Sequence, residues 1–174
     1  MNACGWIICE RTGRWAAALR VGAARQWSQT VPVPRIYEVR SLDELAEQLA
    51  ARPLSLTFVQ VHTSNVAKAL RWLAHNSQRF PRARFVALLD RMLDVQPESG
   101  SELSSVESQD VVAALLESGA AEIAVSPRRL QHIFVLADKH ATSVRGLPRP
   151  PAEAQSITDW ARSRLPWQTD RDRE

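Results

Sequence analysis

The sequence predicts a doubly wound α/β domain, in which a mostly parallel sheet carries helices on both faces. Short apolar runs alternate with amphipathic segments through about residue 141, and the alternation produces five strand–helix units. The runs at residues 54–61 and 84–89 are apolar almost throughout, which is typical of strands buried on both faces. Because helices separate the strands, the chain must cross over between them, and crossovers favour parallel pairing with helices on each face.

Length and composition agree with one soluble domain followed by a tail. The chain has 174 residues, of which 45% are apolar and 24% charged, as in ordinary globular domains. No stretch approaches the ~20 apolar residues of a transmembrane helix. The N-terminus has no basic segment before its short apolar run, so we expect no secretory signal and a cytoplasmic location.

The first unit is predicted as a strand over residues 5–9 and a helix over residues 11–25. Trp15 and Leu19 lie four residues apart, so we expect them on one buried face of that helix. Two prolines then exclude a helix, and the β-branched and aromatic residues at 35–39 favour a second strand.

The second helix has the best-marked start in the chain. Ser41 and Glu44 form a Ser-x-x-Glu capping box, in which each side chain can accept the other residue's main-chain amide. Leu42, Leu45 and Leu49 follow on one face. We therefore expect a helix that ends before Pro53.

The third unit joins the buried strand at 54–61 to a helix that Pro81 terminates. Thr63 or Ser64 is the expected N-cap of this helix. Its apolar face is predicted to carry Val66, Leu70 and Leu73.

The fourth unit contains a long acidic, Ser-rich segment at residues 90–107, after the strand at 84–89. A loop of that length is uncommon inside a compact domain. The helix that follows is predicted over residues 109–118, with Gly119 as its C-terminal cap.

The fifth unit is a strand at residues 121–125 and a helix that Ser126 caps and Pro127 begins. The inner face of this helix follows the helical repeat i, i+3, i+4, i+7. Its predicted core residues are Leu130, Ile133, Phe134 and Ala137.

The composition changes after the domain at residues 1–141. Residues 142–174 begin as a Pro-rich linker and continue as a short amphipathic segment that carries Trp160, Leu165 and Trp167. Two interpretations stay open: the tail packs on its own domain, or it docks a partner protein through these apolar anchors.

Cys4 and Cys9 are five residues apart, which fits neither a Cys-x-x-Cys pair nor a disulfide framework. We interpret both as small buried hydrophobic residues in a reducing compartment.

The segment LLESGAAEIAVSP, residues 115–127, resembles the receiver domain of bacterial response regulators. Receivers commonly end their fourth helix with Gly-Ala and then run a short strand into Lys-Pro. Gly119, Ala120 and Pro127 occupy those positions. The resemblance covers residues 5–141 and implies a flavodoxin-like, five-stranded parallel sheet of order 2-1-3-4-5.

Receiver phosphotransfer, as the resemblance implies it, needs an Asp that ends the third strand and an acidic pair after the first. It also needs a hydroxyl residue after the fourth strand and a Lys after the fifth. At the end of the third strand this chain has Val61, followed by His62 and Thr63, and no Asp. After the first strand it has one acid, Glu10, followed by Arg11. Leu89 stands at the place of the hydroxyl residue, and Ser126 stands at the place of the Lys. The resemblance therefore implies a degenerate, pseudo-receiver-like signalling module that acts through protein–protein interaction and without phosphorylation. Such a module is not expected to be an enzyme or to hold a metal or cofactor.

The alternative is a small α/β enzyme or ligand-binding domain. Glu10, His62, Asp90 and Ser126 all follow predicted strands, and open α/β sheets bind ligands at the carboxyl ends of their strands. These four residues are the candidate ligand crevice.

Other partner classes are less favoured by the sequence. The four His residues show no metal-ligand spacing, and no Gly-rich phosphate loop occurs. The pI is about 9.4, and 20 of the 22 cations are Arg, but the net charge is only +3 and no nucleic-acid-binding signature accompanies it. We therefore expect a protein partner and no nucleic acid. The sequence is also compatible with a homodimer.

Overall fold

The computed structural model describes residues 5–27, 33–89 and 103–144, with the backbone alone for residues 103–108. The chain divides into two units after Val144, and the second unit, residues 145–174, lies outside the described residues. The predicted tail anchors Trp160, Leu165 and Trp167 therefore lie outside them too, as do Cys4 and Asp90.

Five strands and five helices alternate in the described part of the chain. In order they are β1 (Trp6–Cys9), α1 (Arg14–Trp27), β2 (Ile36–Val39), α2 (Leu42–Ala51), β3 (Leu56–Val61), α3 (Val66–Arg79), β4 (Arg84–Leu89), α4 (Leu103–Glu117), β5 (Ala120–Ala124) and α5 (Gln131–Val144). All strand pairs are parallel, and the sheet order is β2-β1-β3-β4-β5. The predicted fold class and strand order are thus confirmed.

The parallel register places all strand starts at one edge of the sheet and all strand ends at the other. Trp6 of β1 pairs with Ile36 of β2 and with Leu56 of β3. At the other end, Val61 of β3 pairs with Leu89 of β4. We call the edge at the strand starts the amino edge and the opposite one the carboxyl edge.

Side-chain alternation along the strands divides the core into two layers. One layer joins the sheet to α2, α3 and α4 and contains Leu45, Leu73 and Leu115. The other joins the sheet to α1 and α5 and contains Trp15, Leu19 and Ile133. The predicted apolar faces of α1, α2 and α5 are buried. In α3 and α4 the prediction holds in part, because Leu73 and Leu115 are buried, Val66 and Leu70 are half-buried, and Leu116 is exposed. Helices cover both faces of the sheet.

An aromatic cluster fixes α1 against α5. Trp6 is buried, and its ring centroid lies 5.5 Å from that of Phe58 and 5.6 Å from that of Trp27. Phe134 of α5 completes the cluster. A Cβ at Gly22 would lie 2.2 Å from the ring of Phe134, so the two helices approach this closely only because position 22 has no side chain.

The start of α5 differs from the prediction. The helix begins at Gln131 and not at Pro127. The amide of Arg129 donates to the carbonyl of Ser126 (3.0 Å), which closes a turn with Pro127 at its second position. A proline there suits a turn as well as a first helical residue, and the local sequence does not distinguish the two.

Three other helix starts also differ from the prediction. The helix α1 begins at Arg14, three residues after the predicted position. The helix α4 begins at Leu103, six residues before the predicted position, so residues 103–107 of the predicted loop at 90–107 are helical and the rest of it lies outside the described residues. The N-cap of α3 is Asn65, and neither Thr63 nor Ser64 caps that helix. The side chain of Asn65 accepts instead from the amide of His62 (2.8 Å), which stabilises the turn before the helix.

Of the two hydrogen bonds predicted for the capping box of α2, one is confirmed and the other has a different donor. The amide of Glu44 donates to Oγ of Ser41 at 3.1 Å, as predicted. The carboxylate of Glu44 accepts from the amide of Arg40 and not from that of Ser41.

Gly119 ends α4 with a φ of +101°, as its predicted role as C-cap requires. No helix in the described residues is long and apolar enough to cross a membrane.

Candidate functional site at the carboxyl edge

Three of the four predicted crevice residues lie at the carboxyl edge. Glu10 follows β1, His62 follows β3, and Ser126 lies two residues beyond the end of β5. Asp90 follows β4 in sequence, but it lies outside the described residues. The last residues of β3 and β4 are apolar. They are Val61 and Leu89, which are buried and paired with each other in the sheet.

Glu10 acts as the N-terminal cap of α1. Its side chain is almost fully buried, and it accepts two main-chain hydrogen bonds from the first turn of the helix. The amide of Trp15 donates to Oε2 at 2.9 Å, and the amide of Ala16 donates to Oε1 at 2.6 Å. Both carboxylate oxygens are therefore occupied by the helix start, where a negative charge is also favoured by the helix dipole.

The backbone around Glu10 explains why its side chain points inward. Gly13 has a φ of +76°, a conformation that glycine adopts without strain, and it turns the chain from the strand into α1. The amide of Arg11 donates to Oε1 of Gln60 (2.8 Å), and Arg40 donates to the carbonyl of Glu10 (2.9 Å). The loop after β1 is thus tied to both neighbouring strands.

His62 belongs to a local turn. Its Nδ1 lies 2.7 Å from Oγ of Ser64, only two residues away. Asn65 closes the same turn, because its side chain also donates to the carbonyl of Gln60 (3.1 Å). The imidazole is half-buried, and its hydrogen bond with Ser64 lies within its own loop.

Ser126 is likewise used by its own turn. The amide of Arg128 donates to Oγ of Ser126 at 3.3 Å, and Ser126 is half-buried. Val125 beside it is 50% exposed, so the end of β5 presents an apolar side chain to solvent.

Cys9 ends β1 directly below Glu10. Burial, together with the nearby carboxylate of Glu44, raises the pKa of its thiol to about 11. A neutral thiol is a poor nucleophile and a poor metal ligand, so Cys9 packs as the predicted small hydrophobic residue. Among the described residues, no three His, Cys, Asp or Glu side chains come together as a metal site would require.

The residues that organise this edge include two that the sequence did not single out. Gln60 and Asn65 link the loops after β1 and β3. The sequence holds one signal for Gln60, because it is one of two polar residues, with Thr57, in an otherwise apolar strand of six. Buried polar side chains are normally hydrogen-bonded, so such a residue predicts a partner without naming it.

A pocket of about 500 Å³ lies away from the carboxyl edge. Side chains of α5 and Gln26 near the end of α1 line it, among them Phe134, Asp138 and Thr142. None of the predicted crevice residues contributes to it.

Comparison with protein-family models and with curated protein sequences finds no match. Solved structures do match. The chain is similar to a CheY-like protein, TadZ, from Pseudomonas aeruginosa PAO1, with 17% identity, a TM-score of 0.54, and coverage of 87% of this chain and 100% of that one. It is also similar to a response regulator from Thermotoga maritima, with 13% identity, a TM-score of 0.58, and coverage of 81% and 99%. The strand order and helix placement agree with these neighbours, and the chain has the CheY-like receiver fold.

Proposed function

We propose that this chain is a non-catalytic, receiver-like module that acts in signalling or regulation through protein–protein interaction and without phosphorylation. The observation that carries the proposal is the use of Glu10. Its two carboxylate oxygens accept the amides of Trp15 and Ala16, so the one acidic residue at the matching place after β1 stabilises a helix start. We infer that it serves the fold and not a Mg²⁺ ion, because its side chain is almost fully buried and both of its oxygens face main-chain amides.

The other strand ends support the same proposal. The position that ends β3 is a buried valine, Val61, and the residue before Pro127 is Ser126, whose hydroxyl accepts from its own turn. A valine has no oxygen to form an acyl phosphate, and a serine cannot neutralise phosphoryl charge as a lysine would. The described residues also contain no membrane-crossing helix, in keeping with the proposed cytoplasmic location.

The test is incubation with Mg²⁺ and acetyl phosphate, followed by intact-mass spectrometry. A receiver with a complete acidic site serves as the positive control. We expect no phosphoryl adduct on this chain under conditions that modify the control. An acid-stable, base-labile adduct would overturn the proposal. An adduct that disappears in His62→Ala would favour the alternative, an active crevice at the carboxyl edge.

The tail is a proposed contact for the partner. Trp160, Leu165 and Trp167 would supply apolar anchors of the kind that dominate interface energies. Deleting residues 148–174 tests this. If the tail docks a partner, the deletion leaves the free energy of unfolding unchanged and abolishes partner binding. If it packs on its own domain, the deletion lowers the free energy of unfolding.

A further inference from the structure

Two arginines lie over one tyrosine ring at the amino edge of the sheet, where β2 begins. The guanidinium carbon of Arg52 lies 3.8 Å from the ring centroid of Tyr37, and that of Arg35 lies 5.1 Å from it. Arg35 is exposed, and the other two residues are half-buried. We call these three residues the Arg–Tyr clamp.

The clamp is held in place by its surroundings. Nη1 of Arg52 donates to Oε1 of Gln48 at 2.5 Å, and the carbonyl of Arg52 accepts from the amide of Ser55 (3.1 Å). Gly5 leaves room for the ring, because a Cβ there would lie 3.2 Å from Cε2 of Tyr37. A preorganised side chain loses less entropy when it binds, so these contacts favour binding by Arg52.

The clamp has hydrogen-bond donors and no carboxylate. The guanidinium group of Arg52 beside the phenol lowers the pKa of Tyr37, and that of Arg35 lowers it further. Among the described residues, no Asp or Glu lies within salt-bridge distance of Arg35 or Arg52. The acid nearest in sequence on β2, Glu38, already pairs with Arg20 and Arg40. Stacking occupies the face of a guanidinium group, so the N–H groups of Arg35, and those of Arg52 that do not donate to Gln48, can still meet an anion.

The first 89 residues carry a net positive charge. They contain twelve Arg and Lys against five Asp and Glu. They supply β2, β1, β3 and β4, and the clamp lies at the start of β2. An anionic ligand is therefore attracted to this part of the domain.

We infer that the Arg–Tyr clamp docks an acidic segment of a protein partner, with Asp or Glu carboxylates paired to Arg35 and Arg52. Arginine forms bidentate pairs with carboxylates, and Arg and Tyr are enriched among the residues that dominate interface energies. We favour a short protein segment over nucleic acid, because the clamp is one compact site and the net charge of the whole chain is only +3. The inference rests on the proposed function and names the chemistry of its partner.

The test uses the full chain and a fluorescein-labelled octaglutamate peptide, with binding followed by fluorescence anisotropy at about 50 mM NaCl, where screening is modest. We expect Arg35→Ala and Arg52→Ala each to weaken binding about tenfold, since a charge-assisted hydrogen bond contributes that much. Arg52→Lys keeps the charge and loses the planar fork, so it should also weaken binding. Arg71→Ala, which removes an exposed arginine of α3, is the matched control and should change affinity less than twofold.

Several outcomes would overturn the inference. One is equal weakening by Arg71→Ala, which would mean that only total charge matters. Another is a single-stranded oligonucleotide of the same charge that binds the clamp more tightly than the peptide does. Absence of peptide binding to a chain that acetyl phosphate leaves unmodified would remove the docking inference and leave the proposed function in place. Circular dichroism of each variant checks that it is folded.

Discussion

The two edges of the sheet use their polar side chains in opposite ways. At the carboxyl edge, Glu10 accepts two amides of α1, and Ser126 accepts an amide of its own turn. At the amino edge, Arg35 and Arg52 stack on Tyr37 and have no carboxylate partner among the described residues. The carboxyl edge is where sheets of this kind usually bind ligands, yet its hydrogen-bonding capacity here goes to stabilising the fold. Location in a fold is therefore a weaker guide to function than the partners of each side chain.

The largest expected effect is the loss of stability in Glu10→Ala. This change leaves the buried amides of Trp15 and Ala16 without acceptors, and we expect it to lower the free energy of unfolding by about 2–3 kcal/mol. Glu44→Ala is the matched control, because that carboxylate also accepts an amide near a helix start but is exposed. Its cost should stay below about 1 kcal/mol. Urea unfolding measures both, and equal losses would contradict the structural role of Glu10.

A smaller effect is expected from pH at His140, which lies toward the amino edge. Its Nε2 lies 2.9 Å from the carbonyl of Leu54, so that nitrogen must carry the proton. Burial lowers the pKa of His140 below its ordinary value of 6.5. The unfolded chain therefore binds the second proton more readily, and stability is fully present above about pH 6.5 and is lost as the pH falls through the folded-state pKa.

His140→Gln should remove this pH dependence, because glutamine can still donate to Leu54 and does not titrate. Urea unfolding between about pH 5 and 7 measures the slope in each protein. His75→Gln, at an exposed position on α3, should leave the slope unchanged. An identical slope in the wild-type chain and in His140→Gln would contradict the assignment of a neutral, buried imidazole.

The smallest effect is expected from the clamp itself. Exposed cation–π contacts contribute about 0.5–1 kcal/mol, so Arg35→Ala and Arg52→Ala should each lower the free energy of unfolding by less than about 1 kcal/mol. Thermal unfolding, with Arg71→Ala as the reference, measures the change. A loss as large as that of Glu10→Ala would mean that the clamp maintains the fold and would remove the contrast between the edges.

Local patterns predicted the elements well where one face had to be buried. The spacing of Leu42, Leu45 and Leu49 placed α2, and all three are buried against the sheet. The starts of α3, α4 and α5 were less predictable. Residues such as Ser126 and Pro127 begin turns as readily as helices, and the choice depends on where the next apolar residue meets the core.

Hydrophobic periodicity was enough to predict the fold class, because strands and helices space their apolar residues differently along the sequence. The hydrogen-bond partners of individual polar residues could not be predicted from this periodicity. Glu10 was predicted as part of a ligand crevice, and only the turn at Gly13 directs its carboxylate onto the amides of α1. Arg35 and Arg52 are seventeen residues apart in sequence, and they meet only because β2 and the end of α2 converge on Tyr37. Such convergence depends on strand register and chain crossover, and these are properties of the packed tertiary structure.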